Sequence, residues 1–418
     1  MATAILGEDS LSDDIKYARL PSRGTQEIAY RFLNFAAGPN CRPGRDYPQV
    51  KRNGHHGEDG STAESMLLVF INGLILSMAS WNSMLHHLSD LSSSPGAVST
   101  QISSSIGQNT DGTQKLERTP VAFSALLYDR YGQGLSIPSG AKVDEHSFES
   151  AVTELQELLD FVLGKYYTSA SEPRKVNGHL KVVLVSHSIG VPLARLFVST
   201  SVPSTLSRLS TVELAAHIFL DSNISTADYA RLIPNPDAAS FDPEILPPDA
   251  SAEQLRDWRA IMLGRFAPNV QNPEGLSRTR VASLVPSASE PKLRNHLGVE
   301  GGGGARNTQT SPYLSVLGHH PAAFAAESER STGLPGSLAL AFIQPEWEKY
   351  NSELSSLVSG WKLLSKKGIV GAEDREKGSQ PGVSLVYGAG HFIQRDRPDV
   401  VAQETFKMVQ HVAGVFHE

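Results

Sequence analysis

An α/β architecture, with a mostly parallel doubly wound sheet and helices on both faces, is what this chain's pattern predicts, and three observations carry it. Short runs of Val, Ile, Leu and Phe recur along the 418 residues, separated by longer segments with helical spacing. Several of these runs are apolar throughout rather than alternating, as strands covered on both faces must be. Most end in Gly, Asn, Asp or Ser, and parallel neighbours need the crossover helices that the intervening segments supply.

The elements follow in order. A hairpin is expected from Ile15–Ala18 and Ile28–Leu33 around the turn Pro21–Gly24. After a polar stretch at 38–64, Met66–Ile71 reads as a buried strand ending in Asn72-Gly73-Leu74. Trp81, Met84, Leu85 and Leu88 then mark one face of a helix from Met78 to Leu91. A second polar stretch, 92–118, precedes the strand Val121–Tyr128 and its turn Asp129-Arg130-Tyr131-Gly132-Gln133-Gly134. The helix Phe148–Val162, with Asp144 as its expected cap, and a third polar loop at 167–179 come next. Val182–Val185 is a strand that turns at Ser186-His187-Ser188-Ile189-Gly190 into a helix with apolar Val191, Leu193, Ala194, Leu196 and Phe197. His217–Leu220 is another strand, closed by Asp221.

From Ser222 the pattern becomes irregular, apart from a helix expected at Ala252–Phe266. Ser337–Ile343 resumes as a strand, Trp347–Leu364 as a helix, Val383–Tyr387 as the last strand, and Pro398–Val415 as a closing helix. The chain therefore divides into a core in two parts, 1–221 and 336–418, with an insertion at 222–335.

Composition narrows the function. A net charge of −7 with no basic cluster argues against nucleic-acid and anionic-membrane partners, which need a concentrated basic face. The single Cys41 excludes an intramolecular disulfide and any cysteine-based metal cluster. His55 and His56 lie in a polar tract with no nearby cysteine and no suitably spaced acids, so no metal and no cofactor is expected. The first residues lack the basic head and apolar stretch of a secretory signal, and the longest apolar run, Met66–Met78, is interrupted and too short to span a bilayer. A cytoplasmic, reducing location is the expectation; oligomeric state is not legible.

The strand-to-helix corner at Ser188 is the chemically telling feature. A nucleophile held in so tight a turn needs small residues two before and two after it, and Ser186 and Gly190 are small. Taking Ser186 as the nucleophile would put Leu184 at the first small position. The plain alternative is an ordinary strand-to-helix turn.

With its Ser-x-Ser-x-Gly corner, the segment resembles the nucleophile elbow of the α/β-hydrolase superfamily, whose commoner form is Gly-x-Ser-x-Gly. The opening hairpin, the strand ending in a glycine turn, the Asp-Arg-x-Gly-x-Gly turn, the elbow and a late strand delivering His391 fall in the superfamily's order. Gly-Ala-Gly-His-Phe-Ile-Gln-Arg-Asp-Arg-Pro also looks like its catalytic-histidine segment. The resemblance implies Ser188 as nucleophile and His391 as base, with backbone amides of Leu74 and Ile189 as the oxyanion hole. Asn72 and Gly73 stand in for the usual His-Gly, Gly190 supports the turn, and the insertion at 222–335 after Asp221 looks like the cap that many members place over the site. Most relatives carry the acid in a turn after the strand before the histidine, but Phe342–Glu346 offers no aspartate there. Asp221, one strand earlier as in a subset of the superfamily, is the expected acid; Glu346 and Asp228 are rivals. His187 is read as packing, His86 and His87 as surface or groove residues, and Asp129 and Arg130 as braces.

Serine at the elbow argues against the alkyl-enzyme chemistry of epoxide hydrolases and dehalogenases and for an acyl-serine intermediate. The expected function is hydrolysis of an ester or thioester of a small to medium hydrophobic molecule. Acyl transfer, carbon–carbon bond hydrolysis on the same triad, and a non-catalytic ligand-binding or scaffold protein stay open.

Overall fold

Eight strands build one sheet: β1 (Ile15–Arg19), β2 (Glu27–Phe35), β3 (Ser65–Ile71), β4 (Phe123–Tyr128), β5 (Leu180–His187), β6 (Glu213–Leu220), β7 (Tyr313–His319) and β8 (Ser384–Val386). Their order is β1-β2-β4-β3-β5-β6-β7-β8, antiparallel across β1, β2 and β4 and parallel from β4 onward. The computed structural model describes residues 14–35, 65–93, 121–137, 146–168, 179–200, 208–209, 212–225, 228–267, 270, 272, 274–295, 311–358, 362–364 and 382–415. Cys41, His55, His56, Asp144 and most of the three polar loops lie outside them.

Helix α1 (Asn82–Ser93) joins β3 to β4, α2 (Phe148–Tyr166) joins β4 to β5, and α3 (Gly190–Ser199) joins β5 to β6. Between β6 and β7 lie α4 (Tyr229–Leu232), α5 (Ala252–Phe266) and α6 (Arg278–Leu284). Between β7 and β8 lie α7 (Pro321–Thr332), α8 (Ser337–Phe342) and α9 (Gln344–Leu354), and α10 (Ile393–Asp396) and α11 (Pro398–Val412) close the chain. The period of two along each strand splits its side chains between two cores. Leu67, Val69, Ile71, Val182 and Leu184 meet α2 and α3, whereas Met66, Leu68, Phe70, Val183 and Val185 meet α1 and α11. Burial on both faces explains why these strands are apolar at every position. No helix among the described residues is long and apolar enough to cross a membrane.

Three local expectations need correction. Ser337–Phe342 is a helix, not a strand: Leu338 and Ala339 are buried while Leu340 is exposed, a one-sided pattern that suits Leu and Ala in a helix. The strand beside β6 is instead β7, drawn from the stretch that reads as irregular, so the 222–335 span contains a piece of the central sheet. The helix expected at Trp347–Leu364 ends at Leu354 and passes into a short 3-10 turn. Ser147 caps α2, its hydroxyl accepting from Ser150 N–H at 3.1 Å.

Register aligns the strand ends. Ile71 pairs with Ser186, His187 with Leu220, Leu220 with Leu317, and His319 with Val386. The residues that follow β3, β5, β6 and β8, together with His319 at the tip of β7, are therefore delivered to one edge.

Candidate active site

Ser188 and Asp221 each turn a corner immediately after a buried strand, and both hold positive φ, 53° and 40°, which side-chain-bearing residues avoid. Backbone bonds over-determine both corners: Ser188 N–H donates to Leu220 O at 3.0 Å and Asp221 N–H to Leu317 O at 2.8 Å. Gly190 cannot be larger, because a Cβ there would lie 2.5 Å from Ile71 O.

The hydroxyl, imidazole and carboxylate expected from the sequence come together. His391 Nε2 lies 3.0 Å from Ser188 Oγ, and His391 Nδ1 lies 2.6 Å from Asp221 Oδ2. A ring nitrogen beside a carboxylate carries the hydrogen, which leaves Nε2 to accept the serine proton. His391 side-chain exposure is 19%, so the imidazole faces the solvent-accessible edge while its carboxylate partner is fully buried. Its loop is pinned at the backbone. His391 N–H donates to Glu327 Oε2 at 2.7 Å, Gly390 N–H donates to Asp396 Oδ2 at 2.8 Å, and His187 Nε2 lies 2.8 Å from His391 O. Burial, reinforced by the neighbouring His391, pushes His187 down to about 3, so it is a neutral ring that donates to this carbonyl.

Asp221 has a second histidine that the sequence did not reveal. His319 Nδ1 lies 2.8 Å from each carboxylate oxygen, and His319 N–H donates to Oδ1 at 3.3 Å. The other ring nitrogen of His319 lies 2.7 Å from Gln344 Oε1. Gln344 cannot be turned round, because its Nε2 donates to Glu348 Oε1 at 3.1 Å and a flipped amide would set oxygen against carboxylate. With the amide so oriented both nitrogens of His319 face acceptors, an arrangement that suits the imidazolium form. Burial opposes that charge, but the attraction of Asp221 and the hydrogen bonds to Asp221 and Gln344 outweigh it and raise the histidine above its ordinary value. For Asp221, burial works toward the neutral acid; the charge of His319 and the bonds from His319 and His391 prevail and hold the carboxyl well below the usual range. Phe324 stacks on His319 at 4.3 Å between ring centres, and Trp347 sits 5.2 Å from both His319 and His391.

The rival acids are elsewhere. Glu346 on α9 pairs with Lys349 at 3.7 Å, and Asp228 pairs with Arg231 at 3.6 Å. His86 and His87 are exposed on α1.

The loop after β3 is fixed against the elbow. Asn72 Nδ2 donates to Tyr128 O at 2.9 Å, and Trp81 Nε1 donates to Asn72 Oδ1 at 2.6 Å. A Cβ at Gly73 would stand 2.5 Å from His187 Nδ1, so only glycine passes there. Among the described residues, no hydrogen bond takes up the amide of Leu74 or of Ile189. Asp129 braces two loops, accepting from Met78 N–H at 2.6 Å and Leu135 N–H at 2.9 Å.

Sequence reasoning missed His319, Gln344 and Glu327. The one available signal was the run Tyr313–His319, whose strand character was hidden by Ser315 and Gly318.

A family model described as the alpha/beta hydrolase family matches residues 68–404. Among solved structures, the peroxisomal alpha-beta-hydrolase Lpx1 of Saccharomyces cerevisiae is 13% identical, over 97% of this chain and 89% of its own, with a TM-score of 0.43. The carboxylesterase CesB of Bacillus subtilis is 13% identical, over 94% of this chain and 90% of its own, with a TM-score of 0.35. A loop variant of the haloalkane dehalogenase DbeA of Bradyrhizobium elkanii is 13% identical, over 96% of each chain, with a TM-score of 0.36. No curated protein matches the chain.

Proposed function

The chain belongs to the α/β-hydrolase family, and on that premise we propose that it is a serine hydrolase that cleaves an ester or thioester of a small to medium hydrophobic molecule. The observation that carries the reading is the unbroken relay from Ser188 Oγ through His391 to Asp221, at 3.0 and 2.6 Å.

In this reading His391 Nε2 takes the hydroxyl proton as Ser188 Oγ attacks the acyl carbon. Asp221 holds the ring in the required tautomer and offsets the imidazolium that forms. Leu74 N–H and Ile189 N–H receive the negative charge on the acyl oxygen; one such donor is worth about 3–4 kcal/mol of transition-state stabilisation. His391 then returns the proton to the leaving group, and water repeats the sequence on the acyl-serine. The preference for a hydrophobic substrate is supported by Ile75, which follows Leu74 in the same loop and exposes 67% of its surface. The cap in this proposal is the stretch between β6 and β7, residues 222–312.

Hydrolysis of p-nitrophenyl esters graded from acetyl to decanoyl tests the reading. Turnover with an optimum at short or middle chain length, abolished in Ser188→Ala, is expected. A well-folded wild type inert toward the whole series contradicts it and favours a ligand-binding protein.

A further inference from the structure

The carbonyl oxygen of one residue and the N–H of the next point to opposite sides of a trans peptide. Gly73 O accepts from Arg130 Nη2 at 3.1 Å and from Gln133 Nε2 at 2.8 Å, and Asn72 O accepts from Arg130 Nη1 at 2.7 Å. With its carbonyl drawn toward these two side chains, the Gly73–Leu74 peptide must turn the Leu74 N–H away from them. The same loop packs on the elbow, as the Gly73 and Gly190 approaches demonstrate, and that amide, like the amide of Ile189, has no protein acceptor among the described residues.

Arg130 and Gln133 are themselves held from the β6–β7 insertion. Glu274 is fully buried; its Oε2 accepts from Arg130 Nε at 3.3 Å and Nη2 at 3.0 Å, and its Oε1 accepts from Gln133 Nε2 at 2.8 Å. The same Oε1 also accepts the N–H of Ile75, the residue directly after Leu74. Ile75 has φ 58°, a conformation that a β-branched side chain strongly disfavours, so the loop needs an external contact to keep it. The carboxylate is anchored through its own backbone: Asn272 Oδ1 accepts Glu274 N–H at 3.1 Å, and His146 Nδ1 lies 2.9 Å from Glu274 O.

We propose that Glu274, reaching in from the insertion, is a positioning residue that acts with Arg130 and Gln133 to hold the Gly73–Leu74 peptide in the orientation that aims Leu74 N–H at the acyl oxygen. The insertion thereby completes the oxyanion hole, in addition to any role as a cover. This rests on the serine-hydrolase reading. All three side chains are buried, so in this proposal their effect falls on the developing charge rather than on substrate binding.

Two conservative variants of the full-length protein test it. Gln133→Met keeps length and bulk but removes the amide donor to Gly73 O; Glu274→Gln keeps an oxygen for Ile75 N–H but removes the charge opposite Arg130. Kinetics are compared on one p-nitrophenyl ester and on its thiono analogue, in which carbonyl sulfur is a poor hydrogen-bond acceptor. For the oxygen ester, kcat falls about 10- to 100-fold with KM changed by less than about twofold. For the thiono ester the fall is several times smaller, so the preference for oxygen over sulfur shrinks. A general loosening of the fold would lower both substrates together, and such a parallel fall, or an unchanged kcat, overturns the proposal. Should Glu274→Gln fail to fold, Gln133→Met alone decides. A wild type that turns over neither ester overturns the serine-hydrolase reading and this inference with it, whereas an active wild type with unimpaired variants overturns this inference alone.

Discussion

The elbow after β5 and the corner after β6 are built alike and supported differently. Both end a buried strand, both place a side-chain-bearing residue at positive φ, and both donate the corner N–H to the neighbouring strand. At the elbow the recognisable pattern lies within a few residues, a strand, two small flanks and a helix that starts at once, and it packs against Leu220 O and Ile71 O. At Asp221 the constraints come from afar, from His319 98 residues on and His391 170 residues on. In the proposed reading the nucleophile needs access and one proton acceptor, and Ser188 keeps 8% of its surface open; a buried carboxylate needs every lone pair satisfied, and this one recruits two histidines and lies 3.4 Å from Asn351 Nδ2.

That contrast is sharpest in a pair of substitutions. Ser188→Ala should lower kcat/KM by about 10⁴-fold or more while leaving the melting temperature near that of the wild type, because the group that loses a partner, His391 Nε2, belongs to a partly exposed ring. Asp221→Asn should cost about 10³- to 10⁴-fold in kcat and also about 3–5 kcal/mol of stability, since the buried His319 imidazolium is left uncompensated. Urea denaturation of the two variants separates these outcomes. Equal stabilities would break the comparison.

A smaller effect distinguishes the two histidines. The raised value of His319 in the folded state means that its stabilising contribution is complete below about pH 6.5, the ordinary value in the unfolded chain, and is lost as pH rises through the folded value. The stability gap between wild type and His319→Gln should therefore be widest in mildly acidic buffer and narrow in alkaline buffer. A gap that does not vary with pH would mean that the ring is neutral in the native protein. Smaller still is Gly190→Ala at the elbow. Its Cβ would meet Ile71 O at 2.5 Å and should destabilise the fold by about 1–3 kcal/mol, measured by thermal melting.

Legibility in the sequence followed the same division. Ser188 could be read because strand, turn and helix are contiguous, and His391 because Gly388–His391 follows a strand directly. Asp221 could be placed because it closes an apolar run. The wrong strand was assigned beside it: Ser337–Phe342 and Tyr313–His319 are both short apolar runs of ambiguous period, and only the sheet decides between them. With β7 unrecognised, His319 had no position, although it stands at the tip of the strand after which most relatives are expected to carry their acid. Glu274 was equally hidden, because its partners Arg130, Gln133 and Ile75 are brought to it by tertiary contacts alone.

The central claim is that Ser188 is a nucleophile activated by His391. Treatment with a fluorophosphonate followed by peptide mass spectrometry tests it most directly. The account predicts one phosphonyl adduct, on the peptide that contains Ser188, formed rapidly in the wild type and strongly slowed in His391→Ala. Labelling at another residue, or no adduct on folded protein, would contradict it.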